Sequence, residues 1–119
     1  MKREASEVLT LTWTDTGVDT DVAPDTDTEI PVHGAERITI QVDSLTLTGH
    51  SSTDWDINVE SSPDGTYWDT VAYASVANVG NDAIESFSVT PGPAFIRLRL
   101  DNNALATTCY VKARVLIIA

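Results

Sequence analysis

The chain has 119 residues, of which 42% are hydrophobic, and its 18 acidic against 7 basic side chains give a formal net charge of −11. This composition suits one globular domain with one core, and the charge disfavours binding to nucleic acid because phosphates would be repelled. No apolar run reaches the roughly 20 residues of a membrane span, and Glu4 and Glu7 interrupt the place of a secretion signal, so we expect no membrane segment and no export.

The first predicted element is a strand in which Leu9, Leu11 and Trp13 alternate with threonines. Residues 14–35 then lack sustained periodicity and are rich in aspartate, which predicts a long acidic loop with a short strand at about 29–32. Carboxylates could bind calcium, but the segment lacks the glycine and glutamate spacing of a calcium-binding loop. A solvated loop is therefore the favoured interpretation.

The same alternation of apolar and polar residues returns in four later segments, namely residues 38–42, 55–59, 96–100 and 109–117. Turn residues separate them, with Asp64-Gly65 at a predicted hairpin turn. No segment predicts an amphipathic helix. The pattern predicts an all-β chain of about seven or eight strands, forming an antiparallel two-sheet β-sandwich, jelly-roll-like or immunoglobulin-like, as a single domain over residues 1–119.

Few residues are candidates for chemistry. Cys109 is the single cysteine, so no internal disulfide or cysteine-based zinc site is expected, and it shares the parity of Val111 and Val115, which favours a core position. His33 and His50 each adjoin a glycine and are interpreted as loop residues. Asp54 and Asp56 form a carboxylate pair of the kind a glycosidase needs, but such pairs are common on the solvent face of a strand. The sequence predicts no catalytic residue, no metal site and no cofactor.

Aromatic residues leave a carbohydrate-binding alternative open. Trp13 and Trp55 share the parity of aliphatic neighbours and are expected in the core. Tyr67 and Trp68 follow the predicted hairpin turn and point to opposite sides, so one of them is expected to face outward. A core or interface role is favoured over a sugar-stacking platform.

The acidity itself has two interpretations. Aspartate outnumbers glutamate by 12 to 6 and only two lysines are present, a composition that stays hydrated in concentrated salt, where self-repulsion is screened. The alternative is an acidic protein that docks on a basic partner. The halophilic interpretation is slightly favoured.

A candidate interface comes from the last two predicted strands. If these strands form a C-terminal hairpin with Arg97 opposite Lys112, their outward sides combine into one basic patch that ends in apolar residues. Its members are Arg97, Arg99, Lys112, Arg114, Leu116 and Ile118. Carboxylates of a neighbouring strand could neutralise the patch, or it could meet another acidic subunit, for which arginine is well suited.

The segment V-x-x-S-x-D-G-x-x-W, from Val59 to Trp68, is followed by the run Phe-Ile-Arg-Leu-Arg-Leu at residues 95–100. Over about residues 54–118 this pattern resembles small β-sandwich structural proteins of tailed viruses, and also discoidin-like and carbohydrate-binding sandwiches. The first resemblance implies a non-enzymatic virion protein, assembled in the host cytoplasm, that decorates the capsid or belongs to a turret or tail.

With the halophilic composition, the resemblance implies a virus of salt-loving archaea. The implied partners are the major capsid protein or another virion protein, and further copies of the chain in a homo-oligomer, with a trimer favoured. The alternative function is a carbohydrate- or receptor-binding module. Mimicry of DNA is a third class, but the acidic residues form no dense regular run.

Overall fold

A computed structural model describes residues 6–13, 19–26, 29–43, 55–76, 84–102 and 111–118. These residues form nine β-strands, and no helix is present among them. The strands are β1 (Ser6–Trp13), β2 (Asp19–Val22), β3 (Ile30–Pro31), β4 (Arg37–Asp43), β5 (Trp55–Ser62), β6 (Ala74–Val76), β7 (Ile84–Val89), β8 (Phe95–Asn102) and β9 (Val111–Ile118). The described part of the chain accordingly contains no helix that could cross a membrane.

The strands form two antiparallel sheets. Sheet A has the order β1-β9-β4-β7, and sheet B has the order β2-β8-β5-β6. β3 also belongs to sheet B, because Ile30 pairs with Ile96 of β8 while Val22 of β2 pairs with Leu100 farther along the same strand. β2 and β3 therefore occupy one strand position, and the all-β two-sheet sandwich predicted from the sequence is confirmed.

The connectivity distinguishes between the two architectures that the sequence left open. With β2 and β3 counted as one interrupted strand, each sheet has four positions. Every connection between successive positions then crosses between the sheets except that from β5 to β6, which is the order of a jelly roll. An immunoglobulin-like sandwich would divide its strands differently. The segment at 14–35 contains β3 near its predicted place, but β2 corrects the expectation that residues 19–22 belong to a loop.

The core lies between the two sheets and is apolar. Alternate residues of β4, β5, β8 and β9 point inward, as their sequence pattern predicts. Trp13 is fully buried, and its indole Nε1 donates a 2.9 Å hydrogen bond to the carbonyl of Val22. This bond joins β1 of sheet A to β2 of sheet B, so the predicted core position of Trp13 is confirmed. The side chains of Trp55 and Cys109 lie outside the described residues.

The predicted C-terminal hairpin is wrong. β9 lies between β1 and β4 in sheet A, whereas β8 lies beside β5 in sheet B. The two strands face each other across the core, where Ile96, Leu98, Val111 and Val115 are all buried. Apolar alternation is equally satisfied by neighbours in one sheet and by strands on opposite sides of a core, so it does not fix the partner.

Candidate functional site

The six residues of the predicted basic patch do not form one surface. Arg97 and Arg99 belong to β8 and lie on the outer face of sheet B, whereas the other four belong to β9 and lie on the outer face of sheet A. Since both strands turn their apolar sides toward the common core, their polar sides point to opposite surfaces of the sandwich. The patch therefore divides into two separate candidates.

On sheet B, the basic side chains are engaged within the chain. Nε of Arg97 donates a 2.7 Å hydrogen bond to Oε1 of Glu60, and its guanidinium lies 4.3 Å from the ring centroid of Trp68. Arg99 is only 7% exposed, and its Nη1 donates to the carbonyl of Leu98. For Arg97 the structure thus shows neutralisation by the neighbouring strand, and an interface role for this pair stays a prediction.

On sheet A, the β9 residues lie at the centre of a larger surface. Strand register places residues of β1, β4 and β7 beside them, so that Leu116, for example, lies between Val8 and Thr39. We call this surface the sheet A face. Its members are Val8, Thr10, Thr12, Arg37, Thr39, Gln41, Asp43, Ile84, Ser86, Ser88, Lys112, Arg114, Leu116 and Ile118.

The sheet A face has the opposite charge to the chain as a whole. Among its described members, three are cations, Arg37, Lys112 and Arg114, and one is a carboxylate, Asp43. Asp43 is buried, and its Oδ2 accepts a 3.0 Å hydrogen bond from Nη1 of Arg114. The face therefore carries an excess of two positive charges on a chain of net charge −11, and its other members are short hydroxyl, amide or aliphatic side chains.

An apolar stripe crosses one end of the sheet A face. Val8 is 59% exposed, and Leu116 and Ile118 are half-buried beside it. Arg37 pairs with Ile118 and brings a cation to the end of this stripe. Sequence reasoning missed Val8 and Arg37 as interface candidates. Arg37 precedes the inward-pointing Ile38, so the sequence could have indicated that Arg37 points outward. Only the register of β4 against β9 shows that Arg37 lies beside Ile118.

A second candidate site is a cleft of about 660 Å³ at one end of the sandwich. We call it the end cleft. Three loops form it, and they contribute His33, the segment from Ser61 to Tyr73, and the segment from Gly92 to Ala94. A neighbouring recess shares Ser61, Asp69 and Tyr73 with it. Sequence reasoning did not predict this site, because the spacing of residues does not reveal which loops meet at the end of a sandwich.

The turn after β5 shapes one wall of the end cleft. Oγ of Ser62 donates a 2.6 Å hydrogen bond to the carbonyl of Tyr67 and accepts one from the amide of Gly65. Oδ1 of Asp64 accepts from the amides of Tyr67 and Thr66, and these bonds lower the pKa of Asp64. Gly65 has a φ of 79°, which supports the predicted Asp-Gly turn. The return strand β6 starts only at Ala74, so the connection is longer than a tight hairpin.

The two aromatic residues after this turn point to different environments. Tyr67 is 76% exposed, whereas Trp68 is half-buried under the guanidinium of Arg97. The prediction that one of the pair faces outward is confirmed, and the outward residue is Tyr67. Tyr73 lines the end cleft, and its hydroxyl donates a 2.9 Å hydrogen bond to the carbonyl of Thr90.

The remaining candidates for chemistry are dispersed. Among the residues that the structure describes, no group of three or more His, Cys, Asp and Glu could hold a metal ion. His33 lies in an exposed turn and Asp56 is half-buried on β5. His50, Asp54 and Cys109 lie outside the described residues, as do Asp15 and Asp27 of the aspartates considered for calcium.

No protein-family model matches the chain, and no curated protein sequence matches it. Solved structures do. The prophage-derived protein YomS of SPBc2 matches with a TM-score of 0.52 at 13% identity, over 95% of this chain and 96% of that one. A structure described as Bacillus endospore appendages that form disulfide-linked pili gives 0.48 at 17% identity, over 99% and 90% of the two chains. PirA gives 0.39 at 13% identity, over 100% and 97%. At these identities the match to YomS shows a common fold.

Proposed function

We propose that the chain is a non-enzymatic structural protein of a virus particle, and specifically a capsid decoration protein that docks through the sheet A face. The observation that carries this proposal is the charge of that face, which has an excess of two positive charges on a chain of net charge −11. The apolar stripe of Val8, Leu116 and Ile118 adjoins the cations, and such a combination suits contact with another protein.

The comparison with YomS supports a viral origin. That protein is described as prophage-derived, and the match extends over nearly the whole of both chains. A role in a particle of a tailed virus is our extension from this shared fold, since fold alone does not determine function.

The chemistry of the sheet A face favours an acidic protein surface as its partner. Threonine and serine side chains are short, so a flat partner can approach the sheet closely. Lys112 and Arg37 can pair with carboxylates, and arginine binds a carboxylate through two parallel hydrogen bonds. Charge complementarity of this kind raises the rate of association and selects against basic partners. The partner we propose is the major capsid protein.

Localisation is the first test. Particles purified from the source that encodes the chain would be probed with gold-labelled antibody to the chain and viewed by electron microscopy. Label distributed over the capsid is the expected result. Label confined to the tail would contradict capsid decoration while preserving a virion role, and particles without label or peptide of the chain would contradict both.

The docking face is tested with two variants that each lower the net charge by two. Arg37→Gln with Lys112→Gln removes two cations from the sheet A face, and Thr66→Glu with Val71→Glu adds two carboxylates on the exposed loop of sheet B. We expect the first variant to bind capsids lacking the protein at least about tenfold more weakly, and the second to bind as the parent does. Equal binding by both variants would contradict docking through this face.

The same two variants separate docking from self-association. Light scattering on the isolated protein gives the mass of the homo-oligomer, for which a trimer is the proposed state. If the first variant loses the oligomer and the second keeps it, the sheet A face binds further copies of the chain. If both keep the oligomer and only the first loses capsid binding, the face meets the capsid.

A further inference from the structure

We propose that the end cleft binds a neutral sugar unit, stacked on the ring of Tyr73 and hydrogen-bonded by Asp69. This site is separate from the sheet A face, so the inference goes beyond the proposed docking function. Its volume of about 660 Å³ is comparable with that of ligand pockets, roughly 300–1,000 Å³, although the cleft is shallow and largely open to solvent. It would give the particle a means of holding glycans at a surface.

The cleft is formed before any ligand arrives, because hydrogen bonds join its three loops. The amide of Val32 donates to the carbonyl of Ala94 at 2.8 Å, which connects the His33 turn to the segment after β7. The hydroxyl of Tyr73 donates to the carbonyl of Thr90 at 2.9 Å, which connects that segment to the loop after β5. A preformed site loses less conformational entropy when it binds its ligand.

Tyr73 provides the apolar surface of the site. Its hydroxyl is held by Thr90, yet the side chain remains 39% exposed. Gly92 lies beside the Tyr73 hydroxyl, and a Cβ there would be in ordinary contact with the hydroxyl oxygen at 3.4 Å. Pro63 and Pro93 add rigid apolar rims. An aromatic ring with apolar neighbours fits the C–H side of a pyranose, which is the least polar surface of a sugar.

Asp69 provides the directional hydrogen bonds. Its amide donates to the carbonyl of Ser61, and its Oδ2 accepts a 3.0 Å hydrogen bond from Oγ of Ser61. These two bonds fix the carboxylate at the edge of the cleft, where its other oxygen, Oδ1, can accept from a sugar hydroxyl. His33 contributes a ring that can donate or accept from a separate loop.

The charge of the cleft selects the class of sugar. Within the part of the chain that the structure describes, the lining includes the carboxylate of Asp69 and no lysine or arginine, and the chain as a whole carries −11. A phosphate, sulfate or sialic acid would meet repulsion without a compensating cation. A neutral sugar avoids this cost and still uses both the ring and the carboxylate.

The experiment screens the full chain against immobilised neutral, sulfated and sialylated oligosaccharides, and then titrates the best neutral binder by calorimetry and by NMR. We expect saturable binding of a neutral oligosaccharide, with shift changes at Tyr73, Asp69 and their loop neighbours. Tyr73→Ala and Asp69→Ala should each weaken binding at least about tenfold. Tyr67→Ala removes an aromatic residue outside the lining and should leave the affinity unchanged.

Thermal melting checks that each variant is folded, and Asp69→Ala, whose side chain is exposed, keeps the test valid if Tyr73→Ala does not fold. The proposal is overturned if no neutral oligosaccharide binds saturably, or if binding persists in a folded Asp69→Ala variant with unchanged affinity. Exclusive binding of anionic glycans would also overturn it. Capsid binding by the variants is measured in parallel, and its retention shows that the two surfaces act independently.

Discussion

Asp64 shows how one side chain organises a loop that serves the end cleft. Its carboxylate accepts hydrogen bonds from the amides of Tyr67 and Thr66, both at 2.9 Å, in the turn that follows β5. Hydrogen bonds to the charged form favour ionisation, so the pKa of Asp64 is lowered. The unfolded chain lacks these bonds, and stability therefore depends on pH through this group.

We predict that the stability difference between the parent and Asp64→Asn is greatest near neutral pH and closes in acid. The folded pKa lies below the unfolded one, so the ionised carboxylate stabilises the fold above the ordinary pKa, and this contribution is lost as pH falls through the lowered value. Denaturant midpoints of both proteins from about pH 7 to about pH 2 measure it. A gap that stays constant with pH would contradict the assignment.

The core residue Ile57 allows a test of the strand faces. It is fully buried on β5, between the sheets. We predict that Ile57→Ala lowers the free energy of unfolding by about 3 kcal/mol, because it removes buried methyl groups and leaves a cavity. Trp55 shares its parity and is expected in the core from the sequence, but its side chain lies outside the described residues.

The matched control for that variant is Val71→Ala, at a side chain that is 77% exposed. It should change the unfolding free energy by less than about 0.5 kcal/mol. Denaturant titration measures both. A loss below about 1 kcal/mol for Ile57→Ala would mean that this position tolerates truncation and is not part of a close-packed core.

At the scale of elements, alternation in the sequence predicts which side of a strand is buried but not which strand lies beside it. For β4, β8 and β9 the predicted faces agree with the structure. The predicted pairing of β8 with β9 does not, because the connection between these two strands crosses from sheet B to sheet A. Arg97 and Arg99 of β8 therefore lie on sheet B and do not belong to the sheet A face that contains the β9 residues.

β2 illustrates a second reason why part of the structure could not be predicted from the sequence. Its four residues, Asp19–Val22, include two aspartates, which are unfavourable in strands. What makes the segment a strand is its pairing with Asn102 and Leu100 of β8. Because that pairing depends on residues far away in the chain, no local pattern indicates it. The end cleft escaped prediction for the same reason.

Strand position within each sheet leads to a prediction about local stability. β9 and β4 have neighbours on both sides in sheet A, as β8 and β5 do in sheet B, whereas β7 and β6 lie at edges. We predict that amide hydrogens in the interior strands exchange most slowly with solvent, since their release requires wider opening. Exchange followed by NMR measures this. Protection in β7 equal to that in β9 would contradict the strand order.

At the scale of the whole molecule, the basic side chains are too few to neutralise the acidic ones. The chain has 18 acidic and 7 basic side chains, and the basic side chains Arg97 and Arg114 are already paired with Glu60 and Asp43. Many carboxylates therefore repel one another at low ionic strength. This self-repulsion opposes the compact state and is reduced by salt.

We predict that the melting temperature rises with potassium chloride well into the molar range. Salt also weakens the ion pairs of Arg97 and Arg114, but these are only partly exposed, and the 18 acidic groups outnumber the cations, so relief of repulsion dominates. The screening length falls from about 10 Å at 0.1 M salt to about 3 Å at 1 M. Repulsion between neighbouring surface carboxylates is therefore felt at the lower concentration and largely screened at the higher one.

The matched variant for this last prediction carries Glu29→Gln, Glu36→Gln and Glu85→Gln, three exposed positions on different parts of the sandwich. These changes remove three negative charges while preserving side-chain size. If repulsion is the cause, the variant melts higher than the parent at low salt and gains less from added potassium chloride. An equal gain in both proteins would assign the effect to strengthened apolar burial, which salt also promotes. A melting temperature of the parent that is flat or falls between about 0.1 M and about 3 M would contradict the halophilic interpretation.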